Sequence, residues 1–206
     1  DFTNLYPQIN EVAQLSTNSP GAGRNVLSSL IDGKSSTAYQ TNPTLHTPEE
    51  LAALDKPYIE IALPKPVQSF WLYTHAYSST KTYLRPMRIT ISASVDGEEW
   101  HDCCTIQNIG NAYPQDGGFV TEKEGDWYSP LLDLGSPYSY IRIIVDDVNY
   151  RNHAAQDNNL FTDFGLSELQ LYAPFDTGID TVVTGVAPNS TLIYSPDGRC
   201  VGTDTR

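Results

Sequence analysis

Apolar residues occur at every second position in several segments of this chain. That period is typical of β-strands with one buried face, because successive side chains point to opposite sides of a sheet. Residues 57–63, 88–95 and 140–147 each place aliphatic side chains on one side, and residues 70–76 and 166–174 follow the same pattern. Turn-forming residues are predicted to separate these strands at Lys65-Pro66, Asp96-Gly97, Gly117-Gly118 and Gly135-Ser136-Pro137.

A helix is predicted in one place only, residues 46–54. Thr47 can cap its N-terminus, Pro48 suits its first turn, and Glu49 and Glu50 lie at the positive end of the helix dipole. Many short strands with almost no helix must bury one sheet face against another. The predicted fold class is therefore all-β, a β-sandwich with long connecting loops.

The chain is predicted to contain one main domain, residues 1–176, followed by a linker and a partial C-terminal segment, residues 177–206. A length of 206 residues allows one full hydrophobic core plus a small appendage. After Pro174 the sequence becomes small, polar and proline-containing, which is typical of a linker. Residues 191–201 then predict two short strands around a Pro-Asp-Gly turn, too few residues to fold alone.

The charge of the chain argues against two classes of partner. Lysine and arginine total 12 against 25 acidic residues, so the formal charge of −13 opposes binding to nucleic acid or to anionic lipid headgroups. No apolar run approaches the ~20 residues needed to cross a bilayer, and the first residues lack a signal-peptide pattern. We expect a soluble chain, with any export signal already removed or never included. The 3 cysteines, of which Cys103 and Cys104 are adjacent, indicate neither a disulfide framework nor a zinc site.

Residues 30–41 combine one carboxylate, one glycine and several hydroxyl groups. A hard cation such as Ca²⁺ takes about six to eight oxygen ligands, which a tight loop containing glycine can supply. Asp32 and Thr37, with the carbonyls of Ser29 and Lys34, can provide four of them, and Glu168 provides a second carboxylate if the two ends of the domain meet. The alternative is an ordinary turn in which the Asp32 side chain accepts a hydrogen bond from the nearby backbone. Composition alone favours this alternative.

Five segments carry a family resemblance through their order and spacing: residues 30–39 (Leu-Ile-Asp-Gly-x-x-x-Thr-x-Tyr), 57–67, 92–100, 138–145 and 164–172. Together they resemble the coagulation factor V/VIII type C, or discoidin-like, domain, which includes the family 32 carbohydrate-binding modules. The resemblance implies a galactose-binding-like jelly-roll sandwich, often with a structural calcium ion. The ligands it implies for that ion are the side chains of Asp32, Thr37 and Glu168 and the carbonyls of Ser29, Lys34 and Ser167.

A second resemblance concerns residues 191–201, Thr-Leu-Ile-Tyr-Ser-Pro-Asp-Gly-Arg-Cys-Val. They are similar to a hairpin, a tyrosine followed by Gly-Arg-x-Val, that is common near the C-termini of secreted proteins from Bacteroides-like bacteria. This resemblance implies an exported parent protein with several domains. We therefore expect a bacterial protein that is secreted or at the cell surface, periplasmic or extracellular.

Ligand contacts are expected from two predicted loops, residues 75–86 and 149–161. Sugar-binding modules place aromatic faces against pyranose rings and use arginine, histidine or amide groups for the hydroxyls, and loops are the usual location. For each candidate the alternative is a solvated loop residue or one packed beneath a loop. The candidates are His75, Tyr77, Tyr83, Arg85, Tyr150, Arg151, His153 and Phe161.

The galactose-binding members of the family have an arginine and an asparagine that bond the sugar, and this chain lacks both. Counted back from residues 94–97, those positions hold Ala76 and Tyr83. His75 and Arg85 can substitute from neighbouring positions. The identity of the sugar therefore does not carry over from the family.

The sequence contains no recognisable catalytic motif. The paired acids Glu98-Glu99 and Asp146-Asp147 point in opposite directions, whereas a glycosidase needs two carboxyl groups facing each other across about 5–10 Å. We predict a non-catalytic carbohydrate-binding module of a secreted or cell-surface glycan-processing protein. Its partners would be a glycan and the other domains of its parent, without direct membrane contact. The alternative is a protein-interaction or spacer domain, with no sugar site, in a larger extracellular protein.

Overall fold

The computed structural model describes residues 2–42, 45–76, 84, 86–107, 126–148, 160–161, 163–174, 190–194 and 200–205. Within these ranges the secondary structure is almost entirely β, with one short α-helix, α1 (Pro48–Ala53), and one 3-10 helix (Leu27–Leu30). The strands in chain order are β1 (Gln14–Thr17), β2 (Tyr39–Gln40), β3 (Leu45–His46), β4 (Tyr58–Ala76), β5 (Pro86–Ser94), β6 (His101–Gln107), β7 (Asp126–Tyr128), β8 (Leu132–Val148), β9 (Leu160–Phe161), β10 (Gly165–Tyr172), β11 (Ser190–Tyr194) and β12 (Cys200–Thr205).

The first layer of the sandwich is an antiparallel sheet in the order β1–β4–β8–β5–β6. The N-terminal half of β4 pairs with β8 from Tyr58↔Ile144 to Ala62↔Tyr140, and β8 pairs in turn with β5. Because side chains alternate along a strand, each of these strands turns one aliphatic row inward. The buried rows include Ile59, Ile61, Ile89, Ile91, Ile141 and Ile143.

The second layer contains the C-terminal half of β4 between β10 and β7, with β2 on the far edge of β10. Its inward residues Leu72, Leu169 and Leu171 belong to the same hydrophobic cluster as the isoleucines of the first layer. Each such side chain, when fully buried, contributes roughly 1.5–3 kcal/mol to stability. The two layers therefore share one core, which confirms the predicted all-β sandwich.

Two breaks predicted from the sequence are wrong, because Lys65-Pro66 and Gly135-Ser136-Pro137 lie inside strands. β4 continues for 19 residues and β8 for 17, and their pairing register shifts between Ala62 and Ser69 of β4. A strand that passes from one layer to the other must bend, and an irregular ladder at the bend tolerates proline, which has no amide to donate. Gly135, with a φ of +80°, adopts a backbone conformation that other residues disfavour.

The predicted helix is confirmed as α1, and its N-terminus has a reciprocal cap. Thr47 Oγ1 accepts a hydrogen bond from the Glu50 amide at 3.2 Å, and Glu50 Oε2 accepts one from the Thr47 amide at 2.9 Å. This capping box satisfies two amides that the helix itself cannot.

The chain forms two compact units, Asp1–Ala173 and Pro174–Arg206. The first contains the sandwich. In the second, β11 and β12 pair antiparallel from Ser190↔Thr205 to Tyr194↔Cys200. In the part of the chain that the structure describes, no helix has both the length and the apolar character needed to span a membrane.

Candidate functional site

The loop between the 3-10 helix and β2 is organised around the side chain of Asp32. Asp32 Oδ1 accepts a hydrogen bond from the Lys34 amide at 2.9 Å. Thr37 Oγ1 lies 2.7 Å from Asp32 Oδ2 and 2.9 Å from the Lys34 carbonyl oxygen. Gly33 has a φ of +72°, in the left-handed region that lets the chain curl inward. Three of the predicted oxygen ligands therefore lie together in one exposed loop.

Glu168 lies beside this loop because β2 pairs with the start of β10. Glu168 is only 4% exposed, and its Oε2 accepts a hydrogen bond from Nε2 of the Gln170 side chain at 3.0 Å. Oε1 is buried and has no hydrogen-bond partner among the described residues. We call the group formed by Asp32, Lys34, Thr37 and Glu168 the Asp32–Glu168 corner.

Burial raises the pKa of the Glu168 carboxyl above its ordinary value, and the charge of Asp32 raises it further. The side chain of Gln170 and the backbone amides of Lys34 and Gly33 lower the same pKa, so they lie close to this carboxylate. The acid in the early loop and the acid in the late strand are therefore near neighbours in the fold.

The two remaining candidate metal ligands are carried by the same pair of elements. Ser29 is buried in the 3-10 helix, which packs against β10. Ser167 is the extra residue of a bulge in β10, since Leu166 pairs with Ala76 and the next pair is Glu168 with His75. The fold thus brings the segments of all six candidate metal residues into contact.

The donor set of the corner suits a hard cation. In the described ranges, no three His, Cys, Asp or Glu side chains are grouped closely enough to hold a metal ion. The corner instead offers two carboxylates, a hydroxyl and backbone carbonyls, the mixture of oxygens that Ca²⁺ accepts. A buried carboxylate oxygen without a partner, close to a second negative charge, is costly unless a cation or a proton compensates it. The residues present therefore fit a calcium ion.

His75 lies in β4, as the strand pattern over residues 70–76 predicts, and not in the loop predicted over residues 75–86; it is 7% exposed. Its Nδ1 is 2.7 Å from Oδ1 of Asp126 on β7, and the same oxygen accepts a hydrogen bond from the Tyr73 hydroxyl at 2.8 Å. Both contacts follow from the register, which pairs His75 with Asp126 and Tyr73 with Tyr128. A carboxylate at Nδ1 orients the imidazole and favours the tautomer that carries its proton on Nδ1.

Sequence reasoning missed Asp126 and the strand that carries it. β7 has only three residues, Asp126–Tyr128, too few to show a period of two. Burial, followed by the hydrogen bond and the charge of Asp126, raises the pKa of Tyr73 far above its ordinary value. Nothing in the sequence near either residue indicates this pairing, because it depends on strands 51 positions apart.

Two other positions named from the sequence are placed by the backbone. Phe161 lies in β9 and pairs with Leu45 of β3. Ala76, at one of the two positions of the missing galactose pair, is buried at the end of β4, and its carbonyl accepts a hydrogen bond from Ser167 Oγ at 3.0 Å. The remaining ligand candidates lie outside the described residues: Tyr77, Tyr83, Arg85, Tyr150, Arg151 and His153.

No family model matches this chain, and no curated protein matches it. Solved structures are similar to it in fold. The module CBM32-3 of a family 31 glycoside hydrolase from Clostridium perfringens is 17% identical with a TM-score of 0.58, over 81% of this chain and 95% of that one. CpGH89CBM32-5 from the same organism, in complex with GalNAc-β-1,3-galactose, is 11% identical with a TM-score of 0.53, over 81% and 100%.

A third similar structure is the family 32 module of C. perfringens NanJ in complex with galactose. It is 14% identical with a TM-score of 0.50, over 82% of this chain and 100% of that one. At these identities the likeness concerns the fold alone. The first unit therefore has the discoidin-like β-sandwich fold of family 32 carbohydrate-binding modules.

Proposed function

We propose that this protein is a non-catalytic carbohydrate-binding module. The observation that carries the proposal is the likeness of its sandwich to complete family 32 modules, two of which were solved with galactose or GalNAc-β-1,3-galactose bound. A β-sandwich presents loops from a rigid scaffold, and binding residues concentrate on such loops. The fold thus provides a frame suited to this role, while the ligand contacts have to come from the residues of this chain.

The glycan site is proposed where β4 and β8 end, around His75 and the residues that follow these strands in the sequence. Asp126 holds the imidazole of His75 through Nδ1, so Nε2 is the nitrogen left to accept a hydrogen bond from a sugar hydroxyl. Tyrosine rings would stack on pyranose faces, and arginines would donate to hydroxyls. The other members of the proposed site are Tyr77, Tyr83, Arg85, Tyr150, Arg151, His153 and Phe161.

A structural calcium ion is proposed at the Asp32–Glu168 corner. Its ligands would be the side chains of Asp32, Thr37 and Glu168 and the carbonyls of Ser29, Lys34 and Ser167. The ion, when bound, would supply positive charge between two carboxylates. The support for it is the buried Oε1 of Glu168, which has no hydrogen-bond partner in the part of the chain that the structure describes, and the raised pKa of that carboxyl. The loop and β10 would then be tied together.

The parent protein is proposed to be a bacterial glycan-processing protein, either secreted or at the cell surface. The support is that a module of similar fold belongs to a family 31 glycoside hydrolase. Its partners would be a glycan and the neighbouring domains of the parent. Its acidic charge of −13 disfavours nucleic acid and anionic membranes as partners.

One observation favours a second candidate function, a spacer or protein-interaction domain without a sugar site. The two positions that bond galactose in related modules hold Ala76 and Tyr83 here, and Ala76 is 5% exposed with no polar side chain to offer. A module that has lost these groups can persist as a rigid connection between domains.

A glycan array distinguishes the two. We expect the intact protein to bind at least one glycan, and Tyr83→Ala and Arg151→Ala each to weaken binding on the order of tenfold, since a stacking or hydrogen-bond contact contributes about 1.4 kcal/mol. Glu98→Gln, in an exposed turn, is the matched control and should bind as the unmodified protein does. No binding to any glycan would support the spacer, and hydrolysis of chromogenic glycosides would overturn the non-catalytic assignment.

A further inference from the structure

The outer face of the first layer contains a cleft of about 530 Å³. Its floor consists of outward-facing side chains from β4, β5, β6 and β8, and the segment that leads into β4 forms part of its wall. This volume lies within the range of about 300–1,000 Å³ that is typical of small-molecule sites. His75, the described side chain of the loop site proposed above, does not line it.

The register of the sheet arranges the outward side chains of this face in two neighbouring rows. Cross-strand neighbours on one face lie about 4.5–5.5 Å apart at Cβ, so each row is a continuous strip of side chains. The rows are Tyr58–Ile144–Thr90 and Glu60–Arg142–Ser92–Asp102.

Arg142 is held in one orientation in the middle of this face. Its Cζ lies 4.3 Å from the centroid of the Tyr58 ring and 3.8 Å from that of the Trp100 ring. Its Nε donates to Glu60 Oε2 at 2.9 Å, and its Nη2 lies 2.9 Å from the same oxygen. A guanidinium has five N–H donors in a rigid fork, so Arg142 keeps donors for a ligand after binding Glu60.

Acceptors and a hydroxyl surround this fixed donor. The side chain of Asp146 is 4% exposed, and it binds Lys56 Nζ at 2.5 Å and the Thr90 hydroxyl at 2.7 Å. Asp102 is exposed and accepts a hydrogen bond from the Ser92 hydroxyl through Oδ1, which leaves Oδ2 to accept from a ligand. Asp146, Thr90, Asp102 and Ser92 are preorganised, because they project from paired strands and not from loops.

We propose that this cleft is a second binding site, which takes a short neutral oligosaccharide across the sheet and does not depend on the loop site. A sugar hydroxyl both donates and accepts, so it suits a floor where the donors of Arg142 lie next to the acceptors of Asp102. The ring of Tyr58, which lines the cleft, supplies an apolar edge for the C–H surface of a pyranose.

The charges of the cleft favour a neutral ligand over an anionic one. Lys56 and Arg142 are each already paired with a carboxylate, Asp146 and Glu60 respectively. An anion would have to compete with these ion pairs and would also meet the chain's charge of −13. A neutral, hydroxyl-rich ligand needs neither pair to break.

Titration of the full chain by ¹H–¹⁵N NMR tests the proposal, with soluble hexasaccharides of xylose, glucose, mannose and galactose as probes and spermine as a cationic probe. With at least one hexasaccharide at millimolar concentration, we expect saturable shifts of the amides of Thr90, Asp102 and Arg142.

Asp102→Ala and Arg142→Lys should each raise Kd at the cleft about tenfold, the second because lysine keeps the charge but not the planar fork. Glu99→Gln, in the nearby exposed turn, should leave Kd unchanged. If Arg142→Lys loses its dispersed spectrum and is therefore unfolded, Thr90→Val, of nearly equal volume, replaces it as the test variant, with the same expected rise in Kd.

The result that overturns the cleft site is the absence of cleft shifts with every hexasaccharide, or cleft shifts with spermine alone. This outcome is separable from failure of the proposed function. Shifts confined to His75 and the end of β4 would support the loop site and reject the cleft. Shifts confined to Thr90, Asp102 and Arg142 would support the cleft and reject the loop site.

Discussion

Two turns of the sandwich, Asp32-Gly33 and Asp96-Gly97, are built alike. In each, the aspartate accepts a hydrogen bond from the amide two residues ahead, that of Lys34 at 2.9 Å and that of Glu98 at 2.8 Å. The glycines have φ angles of +72° and +82°, and a threonine or serine hydroxyl also contacts each aspartate. By local geometry alone the two turns are nearly equivalent.

The difference lies in what each turn packs against. The second turn is followed by Glu98 and Glu99, both exposed to solvent. The first lies beside β10, where Glu168 places a buried carboxylate oxygen that has no hydrogen-bond partner among the described residues. An Asp-Gly turn therefore becomes a candidate cation site through a second acid delivered by a distant strand, and not through its own hydrogen bonds.

Removal of the proposed calcium ion should have the largest effect on stability. A ligand present at about 100 times its Kd stabilises the folded state by about 2.7 kcal/mol. For a chain of this size, a chelator should then lower the melting temperature by roughly 5–10 °C. Differential scanning calorimetry with and without chelator measures this. Asp32→Ala should melt like the chelated protein, whereas Asp96→Asn should keep the full response; an equal melting temperature with and without chelator would reject the ion.

Substitution of the turn glycines by alanine should have its larger effect on stability at the second turn, whereas calcium removal acts on the first. Either substitution forces an L-residue into the left-handed region, at a cost of about 1–2 kcal/mol. A Cβ at Gly97 would also lie 3.3 Å from the Tyr140 ring, whereas a Cβ at Gly33 would meet no atom of the described residues within 4 Å. Urea denaturation in calcium-free buffer should therefore show Gly97→Ala as the more destabilised variant, and the reverse order would contradict this reading of the packing.

The effect of Glu168→Gln on the free energy of unfolding should have opposite signs without and with calcium. Without the ion it removes a buried charge that interacts unfavourably with Asp32, so the free energy of unfolding should rise by on the order of 1 kcal/mol. With calcium the same substitution removes a ligand and should lower stability. Paired denaturation curves in chelator and in calcium check this, and a loss of stability in both conditions would show that the carboxylate has a different role.

Acid titration should give the smallest effect. Hydrogen bonds from the backbone amides of Glu98 and Glu99 lower the pKa of Asp96 below its ordinary value of 3.8. A carboxyl whose pKa is lower in the folded state stabilises the fold above about pH 3.8, and that contribution is lost as the pH falls through the folded value. Asp96→Asn should therefore lose less stability than the unmodified protein between about pH 5 and about pH 3 in urea denaturation. Equal losses of stability in the variant and the unmodified protein would show that Asp96 does not contribute to the pH dependence.

The strands could be predicted where a period of two is strong. The isoleucines at 59, 61, 89, 91, 141 and 143 all face the core, because alternation is fixed by backbone geometry and not by partner strands. The breaks expected at Lys65-Pro66 and Gly135-Ser136-Pro137 were wrong for the converse reason. Whether such residues end a strand or only bend it depends on the layer that the strand enters next.

The site was predictable in part. The approach of Asp32 to Glu168 was expected only through a family resemblance, since composition favoured a plain turn. The pairing of His75 with Asp126 could not be predicted, because it requires a three-residue strand and a register across 51 positions. The fixation of Arg142 by Tyr58, Trp100 and Glu60 likewise depends on rows that only the paired strands create.

Strand β4 is a member of both sheets, paired with β8 in one half and with β10 and β7 in the other. Neither sheet can separate from the core without disrupting the pairing of β4, which the other sheet also needs. The sandwich should therefore unfold in one cooperative step. The amide hydrogens of β4 should then exchange with solvent only when the whole unit opens.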